Sequence, residues 1–408
     1  MQTRQLRIAI LSVHSSPLDP PGVGDTGGMS VYIRELTQEL ERQGHFVDIY
    51  TRVHDLVTPE IIELAPQARL IHIRAGEPAD IDKLLIYSFV PAFACKVEDF
   101  RNRHNLHYDL IFSHYWLSGI AGQYLQKWWQ VPQAMMFHTL GAVKNAIGIG
   151  EDEPELRLEA EAQLARACHR IIASTENEKN SLHHYYGIPL EKISVIPCGV
   201  NLKLFRPIPK IVARQKIGLN GGNIILFVGR IERLKGIDNL IRAMAYLEQS
   251  RPELLIVGED GNRQGEMNNL KNLAEDLGVA DSVSFSGLVD HEKLPDFYNA
   301  ADVCVLPSYY ESFGLVPLEA LACGTPVVAT NVGDLQNIIR QGETGYVLMD
   351  NHPMHLVAKI EAVLSDKSKN TGTALSIRSS IARFGWQIIA DSIITDFNEL
   401  TVRHRMQT

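Results

Sequence analysis

Along the chain, short runs rich in β-branched and aliphatic residues alternate with stretches that carry apolar residues at helical spacing. In the first half the runs are LRIAILSV, HFVDIYTR, ARLIHIRA, YDLIFSHY, QAMMFHTL, HRIIAST and KISVIPCG. Amphipathic segments such as VYIRELTQELERQG lie between them. This alternation predicts parallel strands joined by crossover helices. The pattern pauses in a polar, proline-containing stretch from Asn201 to Gly222, then restarts with NIILFVGR, ELLIVGE, SVSFSG, ADVCVLPS, PVVATN and GYVLM. The expected fold is therefore α/β, with two Rossmann-like doubly wound domains, 1–205 and 206–383, facing a cleft. A last amphipathic segment, Phe384 to Leu400, follows the point where the second sheet should be complete. Residues 384–408 are expected to pack back on the first domain.

At 408 residues the chain is long enough for two domains, each with its own core. Its 45% apolar and 21% charged composition is that of an ordinary globular protein. The formal charge of −9 argues against a nucleic-acid partner, which calls for a basic face. Five scattered cysteines, Cys95, Cys168, Cys198, Cys304 and Cys323, have neither disulfide nor metal spacing. They are expected to be buried free thiols in a reducing, cytoplasmic setting. The apolar run of LRIAILSV is too short for a signal-peptide core, and no run approaches the length of a membrane span. The expected partners are small molecules, with a homodimer allowed.

Sheets of this kind bind ligands where strands end and the strand order reverses, so residues just after strands carry the chemistry. After the first strand, SSPLDPPGVGDTGGMS leads into a helix. Gly22 to Gly27 matches the dinucleotide fingerprint, and Asp48 stands about twenty residues on, where a ribose-binding acid belongs. An NAD-dependent enzyme is thus one reading. The long proline-rich loop before the first glycine is unlike that fingerprint, but glycines at a helix start still let a backbone approach an anion closely.

After NIILF comes Val228-Gly229-Arg230-Ile-Glu-Arg-Leu-Lys235-Gly236. Arg230 and Lys235 there suit a diphosphate whose leaving-group charge must be neutralised; a solvated charge run is the plainer alternative. Between ADVCVLPS and PVVATN lies Glu311-Ser-Phe-Gly314-Leu-Val-Pro-Leu-Glu319. Glu311 precedes a helix start, while Glu319 interrupts an apolar stripe two turns along, and carboxylates so placed can accept hydrogen bonds from sugar hydroxyls. A glycosidase needs its carboxylate pair about 5–10 Å apart, and two helical turns stretch that limit. In the first half, His138 ends QAMMFH. His14, Lys83, Tyr115 and Arg157 stand at other strand ends or helix starts.

Taken together, GGMSVYIRELTQELERQGHFVDIYTR, SHYWLSG, FHTLGAVKN, VGRIERLKG and ESFGLVPLEALACGTPVVATNVG resemble the retaining GT-B glycosyltransferases with a Glu, seven residues, Glu signature. The resemblance covers nearly the whole chain. It is nearest to the mycothiol-pathway inositol-phosphate glycosyltransferases, with the sucrose-phosphate synthases second. It implies a UDP-sugar donor held by Gly28, Arg230, Lys235, Val289 (at the uracil), Glu311 (at the sugar) and Glu319 (at the ribose). It sets His138 near the reacting carbon, so that His138, Glu311, Arg230 and Lys235 form the catalytic group. It implies a phosphorylated acceptor, such as inositol 3-phosphate or fructose 6-phosphate, bound by His14, Ser30, Lys83, Tyr115, Thr139 and Arg157. No cofactor is obligatory, and a divalent metal such as Mg is allowed without being required. One position departs: Ser30 stands where the family's Gly-Gly-Met-Asn has its amide. A non-catalytic sugar-nucleotide-binding protein is the remaining alternative, which fold alone does not separate.

Overall fold

The computed structural model describes residues 4–19, 27–219, 221–247, 252–259, 264–365 and 371–407. The first sheet contains β1 (Arg7–Leu11), β2 (Phe46–Arg52), β3 (Ile61–Ala65), β4 (Ala68–Ile73), β5 (Leu110–His114), β6 (Gln133–Met136), β7 (Arg170–Ala173) and β8 (Ile193–Val195). Their order is β3-β4-β2-β1-β5-β6-β7-β8. The second contains β9 (Ile224–Val228), β10 (Glu253–Val257), β11 (Val283–Gly287), β12 (Val303–Leu306), β13 (Val327–Thr330) and β14 (Gly345–Leu348), in the order β11-β10-β9-β12-β13-β14.

Central strands covered on both faces must be apolar throughout, and Ile8 to Leu11 and Ile225 to Phe227 are fully buried. Every strand pair but one is parallel. The exception is β3, an edge strand that runs antiparallel to β4 with Ile62 opposite Leu70. The chain changes direction across the sheet beside β1 in the first domain and beside β9 in the second. The loops after β1, β5, β9 and β12 therefore meet the cleft at both switch points.

Five helices of the first domain shape the site: α1 (Gly28–Arg42), α2 (Lys83–Arg103), α3 (Tyr115–Trp129), α4 (Gly141–Ile147) and α5 (Glu155–Ala167). In α1 the residues Tyr32, Ile33, Leu36 and Leu40 recur at helical spacing and are buried. The C-terminal helix Trp386–Gln407 packs along α1. Asp396 fixes it to the first sheet by accepting from Ser194 and pairing with Arg170 at 3.5 Å.

The chain passes between the domains twice, and the two passages touch. Val200 on the outward passage pairs with Gly385 on the return, and its amide donates to the Phe384 carbonyl at 2.8 Å. Trp386 lies over Gly199, where an added Cβ would meet the indole at 2.4 Å. Contrary to the expectation of five buried thiols, Cys95 is exposed on α2, while the other four are buried.

Candidate active site

On the second-domain side, the turn after β9 depends on two glycines. Gly229 has φ 155, and Gly236 has φ 62, where a Cβ would stand 2.2 Å from the Pro307 carbonyl. Glycine alone fits such a left-handed turn pressed against backbone. The turn carries Lys235 inward, where its Nζ lies 2.7 Å from Glu311 Oε1. Ser308 donates to the same carboxylate oxygen at 3.0 Å. Arg230 stays nearer solvent, its side chain 45% exposed and held, among the described residues, by a 3.3 Å contact to Glu232, so it can reach a ligand.

The helix Leu315–Ala322 starts at Gly314, with φ 105. Its Glu319 is buried, which explains why a carboxylate interrupts an apolar stripe: it is bound on both oxygens. Oε1 takes the His291 Nε2 hydrogen and Oε2 the Tyr298 hydroxyl, each at 2.7 Å. His291 is in turn 3.2 Å from the Arg34 guanidinium of α1. Burial opposes a charge on His291, but Glu319 outweighs it and raises the imidazole pKa. Each Glu319 oxygen keeps a second acceptor position. Val289 is half-buried in the turn after β11.

The two domains meet across the start of α1. A Cβ on Gly28 would lie 3.3 Å from the Leu315 side chain, so the first residue of α1 is packed against the first residue of the helix Leu315–Ala322. Helix N-termini carry free N–H groups that attract an anion. Asn177 also donates to the Gly333 carbonyl of the second domain at 3.1 Å.

On the first-domain side, Tyr115 is the hub of the residues expected to bind an acceptor. Its ring lies 4.5 Å from the His14 ring, 5.6 Å from Lys83 Nζ and 4.9 Å from the Arg157 guanidinium. Arg157 donates to the Thr139 hydroxyl at 2.9 Å. Thus His14, Lys83, Tyr115, Thr139 and Arg157 converge from five segments. Burial, with Lys83 adding to it, pushes the His14 pKa well down and leaves Nδ1 buried without a partner among the described residues. Burial also lifts the Tyr115 phenol to about 12, so it stays a protonated donor. Ser30 is buried and bonded at 2.8 Å to Ser15, the neighbour of His14, so its hydroxyl helps hold the loop after β1.

His138, two residues past the end of β6, has a left-handed conformation, φ 62, and so does Tyr115 directly after β5, with φ 72. Such conformations in bulky residues persist only where surrounding structure enforces them, and they gather at ligand sites. His138 Nε2 lies 2.8 Å from His114 Nδ1. Burial pushes the His138 pKa to about 3 and that of His114 well below its usual value. Both rings are neutral near pH 7.

Sequence reasoning missed His114, His291 and the two glutamates on Arg157, Glu153 and Glu161. The spacing of those glutamates from Arg157, four residues on either side, was the available signal. The dinucleotide reading fails on its acid. Asp48 is buried, accepts from Arg69 at 2.8 and 2.9 Å and from Tyr108 at 2.7 Å, and is the third of seven residues in β2, whereas a dinucleotide lies beyond the carboxyl ends of the strands. Its glycine loop, apart from Gly27, lies outside the described residues. Among the described residues, no group of three or more His, Cys, Asp or Glu side chains is placed to hold a metal ion, and no helix is long and apolar enough to cross a membrane.

Two doubly wound domains with paired cations and carboxylates at their facing strand ends define a sugar-transferring enzyme of the GT-B architecture. Residues 26–204 match the model of Glycosyltransferase Family 4 and residues 210–376 that of Glycosyl transferases group 1. The chain belongs to this glycosyltransferase family. It is 41% identical over 401 residues to D-inositol 3-phosphate glycosyltransferase 2 of Catenulispora acidiphila, covering 96% of this chain and 94% of that one. It is 39% identical over 407 residues to the D-inositol 3-phosphate glycosyltransferase of Nocardiopsis dassonvillei, covering 97% and 95%. Among solved structures, the sucrose-phosphate synthase of Thermosynechococcus elongatus superposes with a TM-score of 0.89 at 33% identity, covering 98% of this chain and all of the other.

Proposed function

We propose that this enzyme moves glucose or N-acetylglucosamine from a UDP-sugar to a hydroxyl of a phosphorylated polyol, inositol 3-phosphate in the first instance, with retention at the anomeric carbon. The observation that carries the acceptor class is the convergence of Lys83, Tyr115, Thr139 and Arg157, two cations and two hydroxyls that can all donate to phosphate oxygens. The names of the curated relatives support the same class. Residues 1–205 hold the acceptor, 206–383 the donor, and the 384–408 segment braces the first domain. Five unpaired cysteines favour a cytoplasmic, reducing setting.

In this reading Arg230, Lys235 and the backbone at Gly28 neutralise the departing diphosphate. Glu311 accepts from the transferred sugar's hydroxyls, Glu319 from the ribose, and Val289 seats the base. His138 lies against the sugar near the reacting carbon. The acceptor hydroxyl attacks on the face from which UDP leaves and passes its proton to the leaving phosphate oxygen, so the protein supplies position and charge rather than a nucleophile. Closure of the domains excludes water that would hydrolyse the donor. No metal is required for this charge balance.

A second reading, transfer to fructose 6-phosphate, rests on the likeness to the sucrose-phosphate synthase and on Ser30 in place of the family's Asn. A matrix of UDP-sugars against inositol 3-phosphate, fructose 6-phosphate and their unphosphorylated counterparts, read by mass spectrometry, separates the two. The anomeric configuration by NMR tests retention. Equal rates on phosphorylated and unphosphorylated acceptors would remove the acceptor assignment.

A further inference from the structure

The Arg157 guanidinium is already occupied. Its Nε binds Glu161 at 2.7 Å, one terminal nitrogen binds Glu153 at 2.8 Å, and the other binds the Thr139 carbonyl and hydroxyl at 3.1 and 2.9 Å. Of its five N–H groups, four are therefore engaged. Burial opposes the charge, yet Glu161, Tyr115 and Glu153 together raise the Arg157 pKa above its usual value. To engage this arginine fully, an incoming phosphate must replace an acceptor.

The three residues that supply these acceptors differ in how easily they can leave. Glu161 has no exposed surface, and it also takes the Gly141 amide at 2.9 Å and the Tyr186 hydroxyl. The Thr139 carbonyl belongs to the backbone beside His138. Glu153 is different: its side chain is 17% exposed, and it pairs with Lys144 as well as with Arg157. It sits in the connection between α4 and α5, beyond Gly148 and Gly150, which have φ 67 and 91. Its backbone is docked on the Asn145 side chain, which donates to its carbonyl at 3.1 Å and accepts from its amide at 2.7 Å. If the carboxylate leaves Arg157, Lys144 still compensates it.

We infer that Glu153 is an internal stand-in for the acceptor's phosphate, a specificity-determining carboxylate that occupies Arg157 in the empty enzyme and is exchanged for the phosphate on binding. This rests on the proposed acceptor class. The exchange sets a threshold, because only a ligand that offers Arg157 more charge than a carboxylate displaces it. Weakly anionic or neutral polyols are thereby kept from the site.

Glu153→Gln keeps the shape and removes the charge. The KM for the phosphorylated acceptor and the inhibition constant for inorganic phosphate are both expected to fall about fivefold, the value of one partly exposed ion pair. The donor KM is expected to stay unchanged, and the gain to shrink as salt is raised. Either constant rising, or neither moving, overturns the inference, because a purely supporting glutamate would weaken anion binding when lost. Asn145→Ala, which releases the Glu153 backbone and keeps every charge, provides a second arm and is expected to shift both constants in the same direction by less. Wild-type enzyme that prefers phosphorylated acceptors while both variants leave the constants unmoved sinks this inference alone. Wild-type enzyme without that preference sinks the acceptor assignment and the inference with it.

Discussion

Lys235 and Glu311, seventy-six residues apart, share an ion pair 2.7 Å long. The cation proposed for the leaving diphosphate and the carboxylate proposed for the transferred sugar thus hold each other in position before either meets a ligand. Lys235→Ala is expected to lower kcat/KM on the order of 100-fold or more, as loss of a donor to developing negative charge does. Glu311→Gln is expected to be damaging as well. The double variant should lose much less than the product of the single losses, since each single change already disrupts the pair. Steady-state kinetics on the four proteins measures this, and strictly multiplicative losses would show that the pair does not act as a unit.

Gly236→Ala is expected to impair the same cation without touching it. The new methyl would meet the Pro307 carbonyl at 2.2 Å in a left-handed turn, so the turn that presents Lys235 must shift. Lowered activity with little change in secondary structure by circular dichroism is the expected pair of results.

Arg157→Ala should be costly for folding. It leaves Glu161 buried without its cation, a loss on the order of 3–5 kcal/mol for a broken buried pair. Arg157→Lys retains the charge but cannot reach Glu161, Glu153 and Thr139 together. It is expected to be milder in denaturant melts while still raising the acceptor KM, with donor hydrolysis nearly unchanged.

Stability should fall on acidification. Burial depresses the pKa values of His14, His114 and His138, so below the unfolded value of about 6.5 the unfolded chain binds protons that the folded chain refuses. Each such histidine adds a slope of up to about 1.4 kcal/mol per pH unit in that window, which for His138 extends down toward pH 3. His291, with its raised pKa, acts in the opposite sense, stabilising at low pH and losing that contribution as pH rises through its folded value. Burial also lowers the pKa values of His45, His54, His72 and His169, so seven depressed histidines against one raised predict a net decline between pH 6.5 and 5, measurable as a falling Tm. His138→Asn should flatten the decline.

How far the residues announced this architecture depends on whether local pattern or long-range pairing decides each element. The central strands were legible because burial on both faces makes them apolar throughout, as in IIL of Ile224–Val228. The strand Ile61–Ala65 was not, because an edge strand half open to solvent has a broken pattern, and only its partner β4 defines it. The members of the cluster around Tyr115, proposed for the acceptor, could be singled out one by one, since each lies near a strand end or a helix start. Its counter-charges were hidden. Glu161 lies on a helix whose buried face carries charges, which reads from sequence as a solvated surface. The His114–His138 bond joins the last residue of β5 to the turn after β6, and no spacing along the chain encodes it.

The side-by-side passages at Val200 and Gly385 determine how this molecule can open. Two connections set far apart would act as separate tethers and resist rotation; two that are hydrogen-bonded to one another form a single spine, and the domains can swing about it as covers do about a binding. Trp386 sits at that spine and also meets Tyr32 at 5.2 Å, whose ring touches His114 and His138. The axis of the swing therefore runs past the floor of the reaction site. A rotation wide enough to open the rim of the cleft would displace His138 by far less, so the histidine proposed to face the sugar can stay in place through every opening and closing.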